Sequence, residues 1–248
     1  MGKRKIQGVC RLCLTNGWLV DSHIIPKFFY KPLKEEKGSF LYLSNDPNEK
    51  EDREQKGITE YLLCETCDTK RLQKYEDYLA RVIFGNRKLK TQHSKLLIEF
   101  SDYDYKKVKS ALISILWRMS ITSDPFFKEV NLGTRHLEKI RSALLNDSEF
   151  QEEEYPVSVA APLFEGKFLS DMMVPPSFVR LDGNRVYRCV ISGLLFHFFV
   201  GSATLDGNDK RLLLRRTSWP ILKVPAQKIP FLWDILINIG RARTIRNK

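Results

Sequence analysis

Two Cys-x-x-Cys turns, Cys10-Arg11-Leu12-Cys13 and Cys64-Glu65-Thr66-Cys67, organise the first part of this chain. Thiolate is a strong, soft ligand, and two such turns present four sulfurs to a single tetrahedral ion. The pattern predicts one structural zinc ion held by Cys10, Cys13, Cys64 and Cys67. A redox pair, four buried thiols and an iron–sulfur cluster are the other uses of such spacing. Four protein ligands leave no open coordination position, so a zinc here holds structure and does no chemistry. Fifty residues separate Cys13 from Cys64, and the site therefore joins segments distant in sequence. Ion binding of this kind contributes on the order of 10 kcal/mol to the folding of small zinc modules.

Between the pairs, residues 34–60 are rich in charge with Pro and Gly interspersed, which reads as a loop or insertion with one short strand at Phe40–Leu43. After Cys67 the pattern turns helical. Leu72, Tyr75, Leu79 and Val82 recur at helical spacing, with Gly85 as the stop. The second region opens with an apolar repeat at Val108, Leu112, Ile115, Leu116 and Met119, an amphipathic helix ending before Pro125. His136 to Leu145 reads as another short helix. From Tyr155 the character becomes β, with Asp182-Gly183-Asn184 marking a hairpin between two strand-like runs and a further strand within residues 211–224. Ile229 to Arg246 reads as a closing helix with a basic end. The expectation is an α+β fold: a zinc-knuckle module of the ββα-metal kind over residues 1–100, then a mixed helix and β-hairpin domain over 101–248.

The chain has 248 residues, a net charge of +11 and 43% hydrophobic residues, enough for a packed core and unlike a disordered sequence. Five cysteines, four of them in the two pairs, suit a reducing compartment better than a disulfide scaffold. No apolar segment follows the basic N-terminus, and the run from Gly193 to Val200 is too short to span a bilayer, so a cytoplasmic location without membrane contact is expected. The positive balance favours polyanionic partners, nucleic acid foremost. It is clustered: residues 70–95 hold eight Lys or Arg against two acids.

Ten residues past Cys13 stands Asp21-Ser22-His23-Ile24-Ile25-Pro26-Lys27, with the histidine at the end of a strand-like run. A Cys-x-x-Cys pair, then His-Ile-Ile-Pro, then Leu62-Leu63-Cys64-x-x-Cys67 followed by a basic helix resembles the HNH family of ββα-metal nucleases, over roughly residues 8 to 85. The resemblance implies that His23 is the general base and that Asp68, standing where the family's final histidine is usual, ligates a catalytic Mg²⁺ or Mn²⁺, helped by Glu76 or Asn48. Ser22 occupies the position where an acidic residue often precedes the histidine, and no asparagine lies in Ile58 to Leu63. The implied activity is metal-dependent hydrolysis of phosphodiester bonds in DNA, with Lys27, Lys70, Arg71, Lys74 and Arg81 contacting phosphates. Standalone HNH-like proteins of this size resemble components of bacterial defence against phage. The second region is then a candidate surface for a protein partner.

Each residue also has a plainer reading. Asp68 suits a helix N-cap, Glu76 a solvent-facing helix position, and Lys70 and Arg71 a solvated helix start. Phe28, Phe29 and Tyr30 suit packing against the zinc module, Cys189 a buried small hydrophobe, and His197 a hydrogen-bonded core residue. The rival to a nuclease is a non-catalytic zinc-stabilised module that binds nucleic acid or protein.

Overall fold

The computed structural model describes residues 6–34, 40–42, 52–54, 56–85, 90–203 and 209–246. The chain is α+β, with strands β1 (Ile6–Val9), β2 (Asn16–His23), β3 (Phe40–Tyr42), β4 (Asp52–Glu54) and β5 (Thr59–Cys64) in its first part. A π-helical turn over Thr66–Leu72 runs into α1 (Gln73–Ile83). Then come β6 (Lys90–His93), β7 (Leu97–Ser101), α2 (Tyr105–Ile121), α3 (Thr134–Leu145), β8 (Val157–Phe164), β9 (Lys167–Phe168), β10 (Val174–Leu181), β11 (Asn184–Ile191), β12 (Leu194–Phe199), β13 (Trp219–Pro225) and α4 (Pro230–Arg246).

β1, β2 and β5 form an antiparallel sheet, in that order, and the first cysteine turn is the bend between β1 and β2. Leu14 takes a left-handed φ of 61° in that bend, closed by Leu14 N–H donating to the Cys10 carbonyl at 2.8 Å. The Arg11 amide donates to the Leu62 carbonyl at 2.9 Å, which lays the turn beside the end of β5 where the second pair begins. Through the π-helical turn and α1 the expected apolar stripe is buried at Leu72, Tyr75, Leu79 and Val82, and Gly85 follows it with a φ of +97°.

The second sheet runs β10-β11-β12-β8-β13-β7-β6, with β9 beside β8. Only the β8–β13 pairing is parallel among these strands. Asp182-Gly183 makes the anticipated hairpin turn between β10 and β11. The run read as one strand after it is two, because Ser192 and Gly193 both adopt positive φ and fold β12 back on β11. Gly193 is required there: a Cβ would lie 2.1 Å from the Leu169 carbonyl oxygen.

The expected boundary at residue 100 falls inside β7. β6 and β7 pair into the second sheet, Trp219 of β13 lying opposite Phe100, so residues 90–100 do not group with the cysteine module. One core runs through both regions, from Leu12 and Leu63 to Phe196 and Trp219. Helix α2 packs on α1 and α3 within it and is buried on all its faces from Val108 to Met119, where the apolar repeat predicted one exposed side. Polar ties reinforce the joint. Glu60 of β5 accepts from Thr122 and from the amide and hydroxyl of Ser123 just after α2, and Ser192 Oγ donates to the Phe29 carbonyl at 2.8 Å. Among the described residues no helix is long and apolar enough to cross a membrane.

Candidate metal centre and the His23 site

The four thiols predicted as ligands converge. The sulfurs of Cys10, Cys13, Cys64 and Cys67 lie within 4.8 Å of one another, and Cys13 and Cys64 are 3.9 Å apart. A tetrahedral site with Zn–S bonds near 2.3 Å has sulfur–sulfur edges of about 3.8 Å, so the donor set fits an ion such as zinc. Burial raises the Cys10 and Cys67 thiols, and the neighbouring thiols raise Cys67 further. Burial opposes ionisation of Cys13 too, but hydrogen bonds from the side chain and backbone of Thr15, and from the neighbouring thiols, bring it down to about 6. A cation at the centre would favour the thiolate at all four. α3 braces the turn from outside: Arg141 Nη1 donates to the Leu12 carbonyl at 2.6 Å while its other nitrogens grip Glu138.

His23 ends β2, opposite Thr59 of β5. It is half-buried, with the Tyr30 ring 6.2 Å away on centroids. Burial, then the positive charges of Lys27 and Arg118, push its imidazole down to about 4, so it is neutral at pH 7. Asp68 lies in the π-helical turn directly after Cys67, past the N-terminal residue Glu65, and makes no cap there. Its carboxyl is within hydrogen-bond reach of the Ser22 hydroxyl, which also lies 3.4 Å from the Val20 carbonyl. Burial raises the Asp68 carboxyl, with Arg118 and Ser22 pulling the other way. The residue before the histidine and the residue after the fourth cysteine thus face one another across the sheet–helix joint. Asp21 points elsewhere, to an ion pair with Lys56.

Glu76 does not face solvent. It turns inward from α1 and meets Arg118 Nη2 at 2.5 Å, a pair whose side chains are 17% and 2% exposed. Arg118 Nη1 also donates to the His23 main-chain carbonyl at 2.7 Å. Sequence reasoning passed over Arg118, although an arginine in the apolar run Ile115-Leu116-Trp117-Arg118-Met119 is a usable signal: a cation on a buried helix needs a partner.

Of the five cations read as phosphate contacts, Lys27 and Lys70 are exposed near the start of the two segments that flank Asp68 and His23. Lys74 pairs with Asp147 at 3.2 Å, and Arg81 lies over the Tyr78 ring with Nε donating to the Asp77 carbonyl. Arg71 turns to α3 and donates to the Leu145 carbonyl. Asn48 lies outside the described residues. Phe29 and Tyr30 are buried, Phe29 edge-on to Phe196 of β12, while Phe28 packs between Phe29 and Phe84. Cys189 is buried in β11, and His197 faces Ser158 Oγ at 3.5 Å, its imidazole pushed down to about 4 by burial and Arg188. No protein-family profile, curated protein or solved structure matches the chain.

Proposed function

We propose that this chain is a zinc-stabilised, metal-dependent nuclease of the HNH type that hydrolyses phosphodiester bonds in DNA. The observation that supports it best is a neutral histidine ending β2 together with a half-buried carboxylate one residue past the cysteine cluster, which lies beside Ser22, the residue preceding that histidine. A bare four-cysteine module requires neither.

Asp68 is the residue that would hold a divalent ion. Its carboxyl is raised by burial even with Arg118 nearby, so it lacks positive charge, and Mg²⁺ commonly takes one or two carboxylates and completes its shell with water and substrate phosphate. When bound, the ion neutralises the scissile phosphate and stabilises the leaving oxygen. His23 takes the proton from the attacking water. An imidazole near 4 is unprotonated at neutral pH but a weak base; a phosphodiester bound beside it adds negative charge and lifts it toward neutrality, where proton transfer is most effective. Ser22 orients the Asp68 carboxylate. Lys27 and Lys70, exposed, are free to meet flanking phosphates, and each such contact makes affinity fall with salt.

Two observations favour a second reading, a non-catalytic module that binds nucleic acid or protein. Arg118 already supplies a cation to Glu76, and Ser22 stands where a second acidic ligand would strengthen the metal site. The test is cleavage of plasmid DNA with Mg²⁺ or Mn²⁺ by the wild-type protein and by His23→Ala with its zinc content verified as unchanged. Metal-dependent cutting that falls at least about a hundredfold in the variant supports the nuclease, in line with general-base contributions. Absence of cutting with DNA still shifted in a gel supports the binding module.

A further inference from the structure

Arg118 belongs to the second region, yet its contacts reach into the first. A guanidinium carries five N–H donors in a rigid fork and stays charged, so it is buried only where acceptors meet that fork. Here they come from three elements. Glu76 of α1 meets Nη2 at 2.5 Å, the His23 carbonyl at the end of β2 meets Nη1 at 2.7 Å, and Ser114 of α2 itself faces Nε and Nη2 at 3.4 Å. The contact to His23 is the informative one. β2 ends at His23 and the chain bends away over Ile24 and Ile25, with the Ile24 amide donating to the Ile58 carbonyl at 3.1 Å. A strand end is where pairing frays, and a charge-assisted bond to its last carbonyl resists that. Glu76 aims the fork: the carboxylate holds one nitrogen while its neighbour reaches the strand.

We propose that Arg118 is a positioning residue, fixing through the His23 carbonyl and Glu76 the strand end that carries the His23 imidazole. The second region thereby sets the geometry of the first region's base, which explains in physical terms why the two share one core. Its side chain is too buried to touch a substrate, so its effect on turnover runs through His23 and rests on the nuclease reading; its effect on the strand end does not.

The test uses full-length protein and three variants: Arg118→Met, the double variant Glu76→Gln with Arg118→Met, and Arg118→Lys. Arg118→Met leaves Glu76 buried without a counter-charge and lowers Tm; the double variant removes both charges and regains most of that loss. Despite regained Tm, exchange of the Ile24 amide is expected to stay at least tenfold faster than in the wild type, and cutting at least tenfold slower. Arg118→Lys keeps a charge for Glu76 but cannot span Glu76 and His23 with one fork, so it folds and also shows fast exchange at Ile24. Wild-type exchange at Ile24 in the double variant and in Arg118→Lys overturns the proposal, because Arg118 then serves only to neutralise Glu76. A wild-type protein that cuts no DNA overturns the nuclease reading alone, and the exchange rates still decide the positioning role.

Discussion

The two ends of α2 each bury a cation and treat it in opposite ways. Toward the C-terminal end, Arg118 has acceptors from α1, β2 and its own helix. About two and a half turns earlier, Lys109 is fully buried, its Nζ without a hydrogen-bond partner among the described residues and 6.0 Å from the Tyr105 ring centre. Burial draws that amine down to about 7, against the opposing pull of Glu152, Glu154 and Glu153. At the Arg118 end, elements distant in sequence present polar groups to one point, and the buried charge acts as a tie between them. At the Lys109 end no acceptor among the described residues reaches the amine, and burial is tolerated by giving up the proton. A buried charge is thus informative about function where it is satisfied from several elements, and about stability where it is not.

The largest effect that would separate the two ends is removal of the ion expected at the thiol cluster, on the order of 10 kcal/mol. The protein as isolated should contain one zinc per chain by elemental analysis. After chelation, amide protection should collapse over residues 6–34 and 56–83, which surround Arg118, while β8 and β10 to β13 keep theirs. Simultaneous loss in the second sheet would mean that both ends of α2 belong to one cooperative unit. Next in size is Arg118→Met, expected to cost about 3–5 kcal/mol because it strands Glu76 in the interior. Chemical denaturation with zinc retained measures it. A loss below about 1 kcal/mol would place the pair among ordinary surface ion pairs and erase the contrast with Lys109.

Where the chemistry is local, the sequence was enough. The spacing of Cys10, Cys13, Cys64 and Cys67 specified a four-thiol cluster, and the stripe from Leu72 to Val82 specified the buried face of α1, since spacing alone fixes which side chains share a turn. Glu76 was misread as solvent-facing because an acid on an amphipathic helix usually is, and its partner lies on α2 in another part of the chain. The same non-locality hid the sheet. Asp182-Gly183 announced its hairpin, but nothing near Leu97 announces that β7 pairs with β13, and the composition change near residue 100 therefore suggested a boundary that the fold does not observe. α2 was read as amphipathic from the repeat at Val108, Leu112, Ile115, Leu116 and Met119; with α1 and α3 packed against it, the polar residues between them, Lys109, Ser110, Ser114 and Arg118, are buried too.

Lys109→Met is the smaller perturbation and sharpens the comparison from the other side. Methionine has nearly the volume of lysine without the ammonium group, so the variant is expected to gain about 1–3 kcal/mol at pH 7, the cost of a buried donor without a partner. The gain should also depend on pH in a defined direction. The amine is near 10.5 in the unfolded chain and about 7 in the folded one, so between those values the unfolded chain holds a proton that the folded chain has released. Stability of the wild type therefore rises with pH from about 7 to 10.5 through this residue, and falls short below it. The Tm advantage of Lys109→Met should be greatest at pH 7 and shrink by pH 9, with Arg118→Met showing no such convergence because a guanidinium stays protonated throughout. A Lys109→Met gain that stays constant across that range would mean that the folded protein keeps this lysine charged, and that the two ends of α2 treat their cations alike.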